Sequence, residues 1–221
     1  MQLLLLFLIS IGFSLAQPLK HKDLTVSSKF VPAYIVSDSD KLVLIAEKNI
    51  GKLHLFQGVN YLYSYPMTSG LNRGDKRVEG DKKTPLGVYL IEKYFDELSL
   101  KSAYKDRASL YGVGALTLNY PNPIDKKTGK TGSSIWIHGT STPERVKDLQ
   151  SSQGCVVVNN ETFSEIFSLY KQKQMVLVIV DDLEWVSKES YQENLKQFNG
   201  IRFKNQWLNF NTGKYEDRRL N

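Results

Sequence analysis

The sequence contains one cysteine, Cys155, and the residues around it are of the types that carry out acyl transfer. His138 precedes the thiol by seventeen residues, and Gly154 stands directly before it. A thiolate is the nucleophilic form of cysteine, and a nearby imidazole can accept the thiol proton. This pattern predicts a cysteine nucleophile with a histidine base, on condition that the fold brings the two side chains together.

Two glycines strengthen this interpretation. Gly139 lets the chain turn sharply after His138, and its carbonyl can accept the proton of one ring nitrogen and so fix the tautomer. Gly154 leaves the thiol uncrowded, and its N–H and that of Cys155 can point at one oxyanion. The structural alternatives are a cysteine that acts as a small buried hydrophobe and a histidine that only completes the core.

The elements that must position these residues are mostly short strands. In Ile135-Trp136-Ile137-His138 the strand period places Trp136 on the same face as His138, so we expect Trp136 to line the cleft. Alternation, β-branched residues and turn signals predict the other strands, while no long helix is expected before residue 143. The expected strands lie at 41–46, around Leu53 and Leu55, and at 61–67, 84–91, 113–118, 134–138 and 175–180.

Three helices are expected in the second half of the chain. Thr142 followed by Pro143 predicts a helix that runs to about Gln150. Asn160 is the expected N-cap of a second helix, whose apolar residues recur with helical spacing. The third is a polar helix at 185–198, followed by a basic, aromatic segment that is too short for its own core and should dock on the main domain or fray.

The N-terminal residues predict export. Residues 1–16 are uncharged, strongly apolar and closed by small residues, which is typical of a cleaved secretory signal; an uncleaved membrane anchor is the alternative. We therefore expect a signal peptide at 1–16, a mature N-terminal segment at 17–37, a catalytic domain at 38–182, and a C-terminal helix with a basic tail at 183–221. An unpaired cysteine in an exported chain calls for an explanation, since no partner thiol is present.

Composition argues against two other classes of site. The net charge of +6 suits an anionic polymer such as the cell wall, but the basic residues at 73–83 alternate with acidic ones, so no face for nucleic acid is expected. One cysteine and three histidines show no metal-ligand spacing, and we expect no metal.

These residues resemble the L,D-transpeptidase catalytic domain of the YkuD type. The likeness covers about residues 38–182. The segments 111–114 and 118–122 are similar to the middle of Gram-negative members, which include L,D-carboxypeptidases that set cell shape. Asn160 stands where the family commonly has an asparagine. The matching blocks, in the family's order, are the T-P-x-G strand at 83–89, the segments 111–114 and 118–122, and His138-Gly139-Thr140 followed by Ser152-x-Gly154-Cys155-Val156.

The resemblance implies a fold that is mostly β with a few helices (α+β), a β-sandwich-like catalytic domain that acts on peptidoglycan stem peptides in the bacterial periplasm or cell envelope. Cys155 would attack the L-centre carbonyl of a diamino acid and expel terminal D-alanine, with His138 as acid and base. Thr140, Ser152 and Asn160 would help to bind substrate. No metal or organic cofactor is implied.

The chain departs from the family's pattern at two positions. Val157 stands where many members carry an arginine, and Gln153 replaces a frequent histidine or lysine. Arg145, Arg73 or Lys130 could supply a cation for the substrate. We expect a transpeptidase with an amine acceptor. Trimming by water as an L,D-carboxypeptidase and an inactive peptidoglycan-binding module are the alternatives, and the sequence leaves the oligomeric state open.

Overall fold

The structure, a computed structural model, describes residues 29–218. The expected signal segment at 1–16 lies outside the described residues, as do residues 17–28 of the expected mature N-terminal segment. Between residues 29 and 218 no helix has the length and apolarity that membrane crossing requires.

Strands dominate this part of the chain, and four α-helices are interspersed with them. The strands are β1 (Phe30–Pro32), β2 (Ile35–Val36), β3 (Leu42–Glu47), β4 (Lys52–Gln57), β5 (Asn60–Pro66), β6 (Ser69–Gly70), β7 (Gly87–Asp96), β8 (Gly114–Leu118), β9 (Trp136–His138), β10 (Gln150–Ser152), β11 (Val156–Val157), β12 (Met175–Val180), β13 (Trp185–Ser187), β14 (Gly200–Phe203), β15 (Gln206–Asn209) and β16 (Tyr215–Asp217). The helices are α1 (Glu97–Tyr104), α2 (Pro123–Lys127), α3 (Asn160–Gln172) and α4 (Lys188–Leu195). The expected fold class, mostly β with a few helices, is confirmed.

One large sheet organises the molecule. Its eight strands follow the order β11-β9-β8-β7-β12-β3-β4-β5, and the main core packs against it. β3 and β12 are buried along their whole length and run parallel at its centre, which the apolar runs at 42–46 and 175–180 favour. β9 and β11 lie at one end of this sheet, so the residues of the predicted site share one region.

A second, smaller core lies on the other face of the strands at that end. It consists of Leu100, Ala108, Ala115 and Trp136, against which Cys155 packs. Helix α1 and the 3₁₀ helix Lys105–Tyr111 cover it. The expectation of no long helix before residue 143 missed α1, which has eight residues, and the five-residue α2. Asp96 caps α1 by accepting a hydrogen bond from Ser99 N, and Leu100 is the buried residue of this helix.

The other helix predictions need smaller corrections. Residues Pro143–Lys147 form a 3₁₀ helix without a side-chain cap from Thr142, and Gln150 already belongs to β10. Asn159, not Asn160, caps α3, since its side chain accepts a hydrogen bond from Thr162 N. The segment 185–198 begins with β13, and its helix α4 is limited to eight residues.

The C-terminal segment docks on the large sheet. β14, β15 and β16 form a four-stranded sheet with β2, which precedes residue 38. Gln206 is buried and bonds to Val88 N (3.0 Å) and to the Asp125 carboxylate (3.0 Å), while Tyr215 Oη donates to Val88 O (3.0 Å). These contacts fasten the segment to the start of β7.

Candidate active site

Parallel pairing of β9 with β11 places the thiol beside the imidazole. Val156 pairs with Ile137 and Val157 pairs with His138, so Cys155 lies alongside Trp136, two residues before His138. With strands about 4.8 Å apart and a rise of about 3.3 Å per residue, the Cα atoms of Cys155 and His138 are roughly 8 Å apart. The register therefore places the two side chains on the same face of the sheet.

His138 is held in one tautomer. Its Nδ1 lies 2.6 Å from Gly139 O, and because a carbonyl only accepts, Nδ1 carries the proton and Nε2 keeps its lone pair. Gly139 O therefore takes the position that the sequence predicted. Burial lowers the pKa of His138 to about 4, opposed by the Gly139 bond and assisted by the positive charge of Arg145. The imidazole is thus neutral at pH 7, and its Nε2 can accept a proton.

Cys155 is half-buried, and its thiol is also neutral. Sγ donates a long hydrogen bond to Ser134 O (3.5 Å), and within residues 29–218 no hydrogen bond joins it to His138. Burial raises the pKa of the thiol to about 11, while the Trp136 backbone and the charge of Arg145 lower it. Thiol and imidazole therefore form a neutral pair in this conformation.

Three hydrogen bonds shape the loop that carries Cys155. Ser152 Oγ accepts from Gly154 N (3.0 Å) and donates to Cys155 O (2.7 Å), and Thr84 Oγ1 donates to Gly154 O (2.9 Å). Gly154 has φ +128°, and a Cβ there would lie 2.8 Å from Lys83 O, so only glycine fits. Thr84 of the T-P-x-G block is thus bonded directly to the loop that carries Cys155.

The same bonds correct the expected oxyanion site. We expected the N–H groups of both Gly154 and Cys155 to face one oxyanion, but Gly154 N–H is engaged by the Ser152 hydroxyl. Within the described part of the chain, Cys155 N–H has no hydrogen-bond partner. Cys155 N–H is therefore the backbone donor that these bonds leave free.

Asn160 joins the histidine loop to the segment before β8. Its Oδ1 accepts from Thr140 N (3.0 Å) and Val113 N (3.2 Å). A Cβ at Gly112 or at Gly139 would collide with this oxygen, so the two glycines make room for it. Asn160 is thus a positioning residue for the His138 turn, and Thr140, itself buried, contributes its backbone to that contact.

Among the three candidate cations, Arg145 alone is placed at the site. Its guanidinium donates to Ser151 O (3.0 Å) and approaches Thr140 Oγ1 (3.5 Å). Lys130 is buried in ion pairs with Asp75 and Asp125, and Arg73 lines a separate cavity. Val157 is fully buried on the strand face that bears Cys155, where it pairs with Thr68 and His138.

Tyr111 is a site residue that the sequence analysis missed. Its ring meets the His138 ring edge to face at 5.0 Å and the Trp136 ring at 5.2 Å, and burial with the nearby Cys155 raises its pKa. Trp136 is buried beneath it instead of lining an open cleft, and it also packs on Phe95 and Tyr104. The available signal was the tyrosine at the start of the Tyr111-Gly112-Val113-Gly114 block.

Within residues 29–218 no cluster of three or more His, Cys, Asp or Glu side chains could hold a metal ion.

The chain is similar to known proteins over most of its length. The profile of the YkuD L,D-transpeptidase catalytic domain matches residues 40–179. The structure resembles that of Bd1075 from Bdellovibrio bacteriovorus, with 29% identity and a TM-score of 0.58 over 76% of this chain and 59% of that one. It also resembles the helical cell shape determining protein Pgp2 from Campylobacter jejuni, with 23% identity and a TM-score of 0.56 over 75% of this chain and 55% of that one.

No curated protein sequence matches the chain. The chain spans 59% and 55% of the two similar structures. The profile match spans well over half of the sequence. It includes the T-P-x-G block, Asn160, His138 and Cys155. The chain therefore belongs to the family of L,D-transpeptidase catalytic domains of the YkuD type.

Proposed function

We propose that this protein is an exported cysteine acyl-transferase that acts on peptidoglycan stem peptides as an L,D-transpeptidase. The observation that carries the proposal is the pairing of the Cys155 strand with the His138 strand, with Nε2 of His138 left as the free base. Family membership supports peptidoglycan as the substrate class. The site lies in the cell envelope under this proposal.

The neutral pair sets the order of the proton transfers. As Sγ attacks the L-centre carbonyl, His138 Nε2 takes the thiol proton, and Cys155 N–H donates to the oxyanion. The C–N bond to D-alanine then breaks, the proton passes from Nε2 to the departing amine, and a thioester remains. An acceptor amine attacks the thioester, loses a proton to His138, and releases the thiol.

Arg145 supports recognition of a substrate carboxylate. Its guanidinium lies near Thr140 Oγ1 and Ser151 O, and its charge lowers the pKa values of both His138 and Cys155. It is half-buried and meets no acidic side chain among residues 29–218, so donors are left for a carboxylate. In this proposal Arg145 supplies the positive charge for the substrate carboxylate, which Val157 cannot supply.

The neutral thiol also favours a second candidate, a peptidoglycan-binding module without turnover. A thiol with a pKa of about 11 and no hydrogen bond to the imidazole is a poor nucleophile until substrate changes its surroundings. Trimming by water as an L,D-carboxypeptidase uses the same thioester as transfer and differs only in the acceptor.

One experiment separates these functions. The mature protein is incubated with disaccharide tetrapeptide, and the products and the intact protein are measured by mass spectrometry. A 3-3 linked dimer indicates transfer, tripeptide with free D-alanine indicates trimming, and binding without any product indicates a module. Cys155→Ala and His138→Ala should each abolish turnover while circular dichroism confirms folding. Retained turnover in a folded Cys155→Ala variant refutes the proposed nucleophile.

A further inference from the structure

A polar cavity of about 250 Å³ lies beside the nucleophile loop, the segment 152–155 that carries Cys155. Neither Cys155 nor His138 lines it. It is smaller than the clefts of about 300–1,000 Å³ that hold drug-sized ligands, so it suits a group the size of one amino acid. Ser69 and Gln150, which pair in β6 and β10, form one wall. The charged and amide side chains that line it are Lys48, Asn49, Arg73, Asp181 and Asp182.

The cavity presents both signs of charge. Arg73 is exposed and has no ion pair or hydrogen-bonding partner within residues 29–218. Lys48 is buried, and its Nζ contacts Gly74 O (2.7 Å) and Asp181 (3.2 Å). Asp182 is exposed, and among the described residues its carboxylate accepts hydrogen bonds from the side-chain amide of Asn49 alone. A free guanidinium and an accessible carboxylate thus face one small space.

The cavity is coupled to the nucleophile loop through Thr84. Thr84 Oγ1 accepts from Gly70 N (2.8 Å) and donates to Gly154 O (2.9 Å), so Gly70 N lies within about 6 Å of Gly154 O. Ser69, which directly precedes Gly70, lines the cavity. Lys48 Nζ, also in the cavity lining, donates to Thr84 O (3.3 Å). The cavity wall at Ser69 is therefore linked to the peptide that carries Cys155 through Gly70 and Thr84.

We propose that this cavity binds an α-amino acid zwitterion, with Arg73 on the carboxylate and Asp182 on the ammonium. A bidentate guanidinium–carboxylate contact and a carboxylate–ammonium contact in one pocket select a carbon that bears both groups. This rests on the proposed function, in which such a carbon occurs twice: in the D-centre of a diamino acid, about 6 Å along its chain from the attacked carbonyl, and in released D-alanine.

Binding of small probes tests the cavity without any turnover. Meso-diaminopimelate, D-alanine, glutarate and cadaverine are titrated into the full chain and followed by NMR shifts. We expect the two zwitterionic probes to bind and the two probes of single charge sign to fail. Arg73→Gln and Asp182→Asn should each weaken binding about tenfold or more, because each removes a charge-assisted bond. Arg77→Gln, an exposed arginine outside the cavity, is the matched control and should bind normally.

A second measurement identifies the source of the zwitterion. The rate of thioester formation, read as a mass increase on the intact protein, is compared for stems with diaminopimelate and with lysine, which lacks the D-centre carboxylate. A preference for diaminopimelate that Arg73→Gln abolishes assigns the cavity to the D-centre. An unchanged preference together with D-alanine binding assigns it to the released amino acid.

The two proposals fail in different ways. Equal binding of the zwitterionic and single-charge probes, or full binding by both cavity variants, overturns the cavity proposal. If neither stem forms a thioester on the unmodified protein while the zwitterionic probes still bind, the proposed acyl-transfer function is refuted and the cavity proposal stands.

Discussion

The neutral thiol predicts slow alkylation of Cys155 at neutral pH. Its pKa of about 11 compares with 9.0 for an ordinary thiol, so the thiolate fraction at pH 7 is about 10⁻⁴ instead of about 10⁻². Only the thiolate reacts with iodoacetamide, and alkylation should therefore be about a hundredfold slower than in the unfolded chain. This corresponds to about 2.7 kcal/mol.

The assay is unambiguous because the chain has a single cysteine. The labelled fraction of intact protein is measured by mass spectrometry from pH 6 to pH 11.5, for folded protein and for protein in guanidinium. The rate for folded protein should rise throughout this range, whereas the rate for unfolded protein should level off above about pH 9.

A second variant separates charge from exclusion of the reagent. Removing the Arg145 charge raises the thiol pKa further, so Arg145→Gln should slow labelling below pH 11 and leave the rate at the alkaline limit unchanged. If the alkylation rate of the folded protein is already constant at pH 7, the argument is refuted, because a constant rate requires a thiolate–imidazolium pair.

Three further changes test the positions of the site residues, each by equilibrium unfolding. Asn160→Ala leaves two backbone N–H groups without their acceptor and should lower the free energy of unfolding by about 2–3 kcal/mol; no change would contradict the positioning role. Gly154→Ala forces a Cβ to 2.8 Å from Lys83 O at a positive φ and should cost about 1–3 kcal/mol, with a loss of turnover. The pKa of His138 is about 4 when folded and 6.5 when unfolded, so unfolding takes up a proton and stability should fall by about 3 kcal/mol from pH 7 to pH 4. His138→Gln should remove that part of the pH dependence, and an unchanged slope would show that another group causes it.

Much of the large sheet could be predicted, because its central strands have strong local signals. The apolar runs at 42–46 and 175–180 are too short for typical helices, and the turn at Asn49-Ile50-Gly51 closes the first of them, which favours strands. Helix α1 was missed because it buries one residue, Leu100, and gives almost no periodic pattern. Its readable signals were the N-cap Asp96 and the acidic Glu97 in the first turn.

The site itself was only partly predictable. His138 with Gly139 O could be inferred, because the imidazole and its acceptor are adjacent in the chain. Asn159 and Asn160 are both plausible caps, and only the tertiary contact with the Gly112 loop decides that Asn160 turns toward the histidine loop instead. The hydrogen bond from Gly154 N–H to Ser152 also depends on loop geometry that residue types do not specify.

The contacts of Gln206 have a consequence for how the protein can be divided. The family profile ends at residue 179, yet Gln206 supplies the acceptor for Val88 N and bonds to the buried Asp125. A fragment cut after residue 182 would leave those buried groups unpaired at the start of β7, and it would also remove β14, which pairs with β2. The boundary of sequence similarity and the boundary of the folding unit are therefore different positions in this chain.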